Sequence, residues 1–226
     1  MKKILNHLRT DWYKYLLELI VITAGVLGAF TLNNWNENRK SNIEEGRILT
    51  ELLDNLIEDE IQILGISNQL ANVVDGTNYL SDVDPANVDW DSVSYQLGMV
   101  LNFVRYHPID NAYETLKSGG FKISNSDLRS QITRYYEYDQ SMILTGASDI
   151  ESEFKAHFRP FMKKYIEKHV WFTPAVIYNK NAEFIRVMKT EITSSIGNSS
   201  QTLTKVNAFL EKSHQLQDQI KSELNK

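Results

Sequence analysis

Residues 19–32 read LIVITAGVLGAFTL, and residues 33–40 read NNWNENRK. The first stretch is the least polar in the chain. Asparagines, a tryptophan and a charge run begin where it stops. Taken back to Tyr15, the apolar segment covers residues 15–32 with Glu18 as its one charge. A spanning helix needs about 20 mainly apolar residues to cross about 30 Å of hydrocarbon. Trp12 to Trp35 covers about 24 residues, or about 36 Å of helix at about 1.5 Å per residue. Trp12, Tyr13 and Tyr15 at one end and Trp35 at the other read as two aromatic belts, because amphipathic rings settle at the headgroup level. Asn33, Asn34 and Asn36 then meet headgroups and water, and Glu37, Arg39 and Lys40 lie outside.

Two other readings of the segment compete. A cleavable signal peptide is disfavoured because no small-x-small pattern follows the apolar run. The core helix of a soluble protein is disfavoured by the basic lead and the paired aromatic ends. An uncleaved anchor fits best. Lys2, Lys3, Arg9 and Lys14 precede it, and Arg39, Lys40 and Arg47 follow. This slight basic bias favours a cytoplasmic N-terminus and residues 36–226 outside the cytoplasm.

Projected at about 100° per residue from Glu18, Ile22 falls at about 40°, Gly25 at about −20°, Ala29 at about 20° and Asn33 at about 60°, while Asn36 returns to the line of Glu18 itself. One face therefore gathers the only charge, two small residues and two asparagines. Gly25 and Ala29 form a small-xxx-small pair, which lets helix backbones approach while polar groups bond across the contact. Glu18, Ile22, Gly25, Ala29, Asn33 and Asn36 are the candidate membrane-helix interface. For Glu18 three roles stay open: reaching the headgroups, joining an oligomer contact, or lining an ion path.

The composition narrows the rest. A chain of 226 residues, 42% apolar and 23% charged, suits one or two folded domains. No cysteine is present, which excludes a disulfide framework, a thiolate zinc site and a cysteine nucleophile. Residues 1–35 carry four basic and two acidic residues; the remainder carries 20 basic and 27 acidic. An acidic domain does not suit nucleic acid, whose binding rests on neutralising phosphates.

Beyond the membrane segment the apolar residues recur at steps of three and four from Ile48 to Val74, and no proline falls before Pro85. This predicts a stalk helix, bent near Gly46 or Gly65, with Glu44, Glu45, Glu51, Glu58, Asp59 and Glu60 on its solvated side. Residues 75–88 read as a loop. A helix over about 89–106 should break at His107-Pro108. A short helix over 110–118 should end at Gly119-Gly120, with Phe121–Ser124 extended. Asn125 or Ser126 should cap a helix reaching about Lys168, kinked at Pro160. VWFTPAV (170–176) reads as a connector. Helices of about 177–196 and 201–225 should be separated by GNSS.

Catalytic motifs are missing. The five histidines make no H-x-x-x-H or H-E-x-x-H pair, and there is no P-loop, dinucleotide fingerprint or nucleophile elbow. SGG at 118–120 reads as a helix cap. Tyr135, Tyr136, Tyr138, Phe154, Phe158 and Phe161 read as core. Arg105, Arg129, Arg134 and Arg159 would make an anion pocket only if they converged.

The run YLLELIVITAGVLGAFTLNNWNENRK resembles the start of an uncharacterised bacterial family. Its members carry a short basic lead, an early glutamate in one membrane helix, a G-x-L segment and then NNWNE-x-RK. The matching residues are Glu18, Gly25, Leu27, Asn33, Asn34, Trp35, Asn36, Glu37, Arg39 and Lys40. A second likeness covers AYETLKSGGFKISNSDLRSQITRYY (112–136). Leu17 and Leu32 stand where the family often has Gly and Gln. The resemblance implies a single-pass, envelope-facing protein, a domain of unknown function with no activity attached.

The expected protein is all-α, with a single N-terminal transmembrane helix continuing into a stalk and a helical bundle. Its parts are a basic cytoplasmic lead at 1–14, the membrane helix at 15–35, the stalk at 36–75 and the bundle at 76–226. It is expected in a bacterial inner membrane with the C-terminal domain periplasmic. Its expected partners are the lipid bilayer and a second copy or another membrane protein; no enzyme activity, cofactor, metal or nucleic acid is expected. The alternatives are a ligand-sensing helical module and an accessory subunit or small channel using Glu18.

Overall fold

A computed structural model describes residues 2–120 and 122–226, with side chains for all of these except 2–11, 15, 194 and 195. Among the described residues the protein is all-α apart from one small strand pair. Helix α1 runs unbroken over Lys2–Asp82, passing straight through Gly46 and Gly65. It also continues into the expected loop at 75–88. There Thr77 and Leu80 are buried, as is Val73 just before them. Gly76 serves close packing, since a Cβ at that position would lie 2.9 Å from Val100 Cγ2.

The span expected as a stalk is free only as far as Glu44. From Ile48 on, Leu49, Leu52, Leu56, Ile63 and Leu70 are buried. The apolar face that marked residues 48–74 as a helix is matched by the rest of the chain, so most of the stalk is a wall of the bundle.

Helix α2 (Trp90–Val100) starts at Asp89, whose Oδ1 accepts from the backbone N–H of Asp91 (3.1 Å) and Ser92 (3.2 Å). It ends sooner than expected, because residues 102–110 form an extended strap whose polar groups bond to α1. Gln69 Nε2 donates to Asn102 Oδ1 (2.8 Å), and the Gln62 side chain both donates to His107 O (2.8 Å) and accepts from His107 N (2.9 Å). Helix α3 (Asn111–Ser118) closes with Gly119 N donating to Thr115 O (2.8 Å), and Gly120 takes φ +67°. Phe121 lies outside the described residues.

A long rod follows, built from α4 (Ser126–Arg134), a π turn (Tyr135–Asp139), α5 (Gln140–Glu153), a second π turn (Phe154–Phe158) and α6 (Arg159–Tyr165). Asn125 caps it, accepting from the N–H groups of Asp127 and Leu128 at 3.1 Å each. The feature expected as a kink at Pro160 is the π turn just before it. Arg159 N–H bonds to Phe154 O, and Pro160 then sits in the first turn of α6, where its missing N–H costs no helical bond.

The 170–176 connector is flanked by an antiparallel pair, β1 (Ile166–Lys168) and β2 (Val176–Ile177). Helix α7 (Ala182–Leu224) closes the chain as one helix. It runs through GNSS because Ser199 and Thr202 are buried, Thr202 close against Gly146 of α5, and Asn198 Nδ2 donates to Glu153 Oε1 (2.8 Å).

The four passes alternate in direction. α1 leads away from the N-terminus, α2, the strap and α3 return, the rod leads away again, and α7 returns. At the base, Ser124 N donates to Glu45 Oε1 (2.9 Å) and Asn125 Nδ2 to Glu223 Oε2 (2.6 Å). Higher up, Ser67 Oγ donates to Asn207 Oδ1 (2.6 Å). A lower core joins Leu52, Leu56, Tyr106, Ile132, Tyr135 and Phe209. An upper core joins Leu97, Val100, Phe161, Phe184, Ile185 and Met188.

Candidate functional site

α1 contains one stretch long and apolar enough to cross a membrane. Its mean hydropathy over an 18-residue window is 2.0, and none of that window is buried by the rest of the chain. The candidate interface residues Glu18, Ile22, Gly25, Ala29, Asn33 and Asn36 are all exposed on one helix. They share one face of it by helical geometry. Asn33 Nδ2 donates to Glu37 Oε1 (2.9 Å) along the helix surface. Thr31 Oγ1 donates to Leu27 O (2.8 Å), so its hydroxyl is satisfied within the apolar stretch. Trp12, Tyr13 and Trp35 are exposed at the two ends. The side chains of Tyr15 and of the basic lead at Lys2, Lys3 and Arg9 lie outside the described residues.

A second constellation lies inside the lower core, and the sequence reading missed it. Asp59 was expected on the solvated side of α1, yet it is only 2% exposed. At about 100° per residue, position 59 falls on the same side of α1 as Leu52 and Leu56. The Tyr106 hydroxyl donates to its Oδ2, and Gln62 Nε2 lies 3.4 Å from Oδ1. Burial pushes the Asp59 carboxyl up to about 6, against the opposing pull of the Tyr106 hydrogen bond. Burial likewise drives the Tyr106, Tyr135 and Tyr136 phenols upward, so all three stay protonated.

The aromatic scaffold of this interior is tight. Tyr135 stacks on Phe209 with centroids 4.5 Å apart, and Tyr113 stacks on Tyr136 at 4.6 Å. Tyr135 lies beside Ser213 and Gln140 beside Tyr106, yet among the described residues the Tyr135 and Tyr136 hydroxyls and Gln140 Nε2 have no hydrogen-bond partner in good geometry. Outside them, Lys212 Nζ pairs with the buried Asp139 at the end of the first π turn. Two clefts of about 170 and 160 Å³ flank that pair. Both are smaller than the pockets of about 300–1,000 Å³ that enclose metabolite-sized ligands. The arrangement is a buried polar network that fixes how α1, the strap, the rod and α7 pack.

The remaining expected features fall apart spatially. Arg105 pairs with Glu151 (2.7 Å), Arg129 donates to Ile123 O (3.0 Å), and Arg134 lies over the Tyr138 ring, so each is engaged separately. The Arg105 hydrogen bond, followed by that of Lys155, holds Glu151 down to about 2. Of the expected aromatic core, Tyr138 is exposed while Tyr135, Tyr136, Phe154, Phe158 and Phe161 are buried. Among the acidic residues of α1, Glu60 accepts from Gln217 (2.8 Å) and pairs with His214 (2.9 Å), tying α1 to α7. Among the described residues no group of three His, Asp or Glu side chains is placed to hold a metal ion.

Residues 18–151 match a family described as a family of unknown function, DUF6090. The matched span begins at Glu18 and takes in both 33–40 and 112–136. No curated protein and no solved structure matches the chain.

Proposed function

The chain belongs to DUF6090, a family of unknown function, and we propose that it acts as a membrane-anchored, non-enzymatic interaction protein. The apolar part of α1 lies in a bilayer, and the bundle stands on it and binds other protein. The N-terminus lies in the cytoplasm and the bundle outside it, in a bacterial envelope. One observation carries this reading: among the described residues, none covers an 18-residue window of mean hydropathy 2.0. Left in water it would expose a patch far beyond what soluble monomers carry. Lipid is the cover that matches its length and its aromatic ends.

Self-association follows from the Gly25/Ala29 face. In lipid, helices pair where small residues admit close backbones, and Glu18 with the asparagines adds polar contacts on that face. The test is crosslinking and mass measurement of the full chain in mild detergent. Gly25→Leu should lower the dimer fraction at equal protein-to-detergent ratio. A chain that is monomeric throughout, or a variant that assembles as before, overturns the membrane-face reading. Recovery of the full chain from the aqueous fraction without detergent overturns the anchor itself.

A further inference from the structure

We propose that the strap at residues 102–110 is a pH-sensitive latch. It stays docked on α1 while the Asp59 carboxyl holds a proton, and it opens ahead of the rest of the bundle once that proton is lost. The latch needs neither the membrane anchor nor the self-association proposed above.

The strap has no helix or strand of its own. Among the described residues, no backbone–backbone hydrogen bond ties 103–109 to another element. Its hold on α1 comes from side chains. Gln69 reaches Asn102 and Phe103 O, Gln62 brackets His107, and Tyr106 bonds to Asp59. On its outer edge Arg105 pairs with Glu151, and the Phe103 ring meets those of Phe154 and Trp171. A segment held by a few side chains opens at lower free energy than the helices around it.

Asp59 lies inside this contact and is 2% exposed. From the strap, the Tyr106 hydroxyl donates to it, and the Ile109 N–H and the like-charged Asp110 lie beside it. Along α1, Gln62 Nε2 stands 3.4 Å away. From the rod, the Tyr135 and Tyr136 phenols face it. On α7, Ser213 and Gln217 are buried and neutral, while Lys212 is taken by Asp139 and His214 by Glu60. Among the described residues no cation pairs with Asp59. The neutral carboxyl suits this site. The ionised one sits in a poorly solvated interior with one aligned donor, and an open strap lets water reach it.

Burial holds the docked carboxyl at about 6, and water returns it to an ordinary 3.8 once the strap is open. A value raised in the docked state favours docking below about pH 4, and that preference is lost as pH rises through about 6. The opening equilibrium should rise about tenfold between pH values of about 5 and about 7. The Arg105–Glu151 pair acts with the opposite sign, but at lower pH. Glu151 is held down to about 2, so above about pH 5 it is mostly ionised whether the strap is docked or open. An open strap exposes Val104 and Tyr106, both buried when it is docked. The bundle then presents near neutral pH an apolar surface that it hides in acid.

The chain has no cysteine, so a single Val104→Cys reports opening through maleimide labelling of the full chain in mild detergent. Rates are normalised at each pH to Ser130→Cys on exposed α4. Relative labelling of Val104→Cys should rise about tenfold from about pH 5 to about pH 7. Adding Asp59→Asn should keep it level. Val93→Cys, buried in α2, should label slowly at both values. A parallel rise at Val93→Cys means that the whole bundle loosens, and an equal rise with Asp59→Asn assigns the effect to another group. Either result overturns the latch, as does labelling that ignores pH. If Val104→Cys itself unseats the strap, hydrogen exchange of peptide 103–110 in the cysteine-free chain decides. Its protection, corrected for intrinsic rates, must fall about tenfold over the same range and hold in Asp59→Asn; any other pattern overturns the proposal.

Discussion

The Tyr106 hydroxyl donates a hydrogen bond to the Asp59 carboxyl in the interior of the bundle, joining the extended strap to α1. The neighbouring strap-to-α1 contacts, made by Gln62 and Gln69, are between neutral amides. The bond therefore adds a charged acceptor where the rest of the contact is neutral. Its energetic sign depends on pH, because burial works against the ionised carboxyl.

Asp59 is held at about 6 in the folded chain against an ordinary 3.8. Between these values the folded state binds the proton more tightly than the unfolded state. This contribution is therefore full below about pH 4 and is lost as pH rises through about 6. The shift of about two pH units corresponds to roughly 2–3 kcal/mol. The stability of Asp59→Asn relative to the native chain should thus rise by about that amount from pH 4 to pH 7. Urea unfolding of both proteins across that range measures it. The difference cancels the opposing carboxylates, such as Glu60 and Glu151, whose lowered values favour the fold at higher pH. A pH-independent difference would show that Asp59 titrates normally.

Gly98 is needed for close backbone approach. A Cβ there would lie 1.9 Å from Thr173 O. The connector is held at this point by Phe172 N donating to Gly98 O (3.3 Å) and Ala175 N to Ser94 O (2.8 Å). Phe172 itself takes φ +61°, a conformation a bulky side chain adopts only when its surroundings impose it. Gly98→Ala should cost about 2–4 kcal/mol. It should also make 169–176 a preferred site of limited proteolysis. Unchanged cleavage with unchanged melting would refute the packing role.

Asn125 serves two elements at once. Its oxygen caps α4, and its Nδ2 donates to Glu223 near the end of α7. Asn125→Ala should destabilise the bundle by about 1–2 kcal/mol, near the upper range for a lost cap. Asn125→Ser, which keeps a capping oxygen, should lose less. Thermal melting of the three proteins ranks them, and equal losses for Ala and Ser would assign the whole effect to Glu223.

Much of the helical content was legible because its signals are local. The cap at Asn125, the end of α3 at Gly119-Gly120 and the apolar period from Ile48 to Leu70 each depend on residues within a few positions. The misreadings have one origin: residues that break helices in isolation were placed in packed surroundings. Asp75, Gly76 and Thr77 looked like a loop, but the close contact of Gly76 with Val100 keeps them helical. GNSS looked like an interruption, but burial of Ser199 and Thr202 carries α7 through it. Helix α2 stops at Val100, because α1 offers the strap better partners than another turn would. The polar interior was not legible at all. Asp59, Tyr106, Tyr135 and Ser213 are far apart in sequence, and no spacing rule relates them.

From its order of residues alone, this chain declared an apolar helix of membrane length, a small-residue face upon it and an all-α domain behind it. Those properties follow from hydrophobic length and period, which each segment carries by itself. Which side of α1 is covered, where the free helix ends and which carboxyl is buried were decided only when four distant passes packed together. Burial is a property of neighbours, and these neighbours are supplied by the fold.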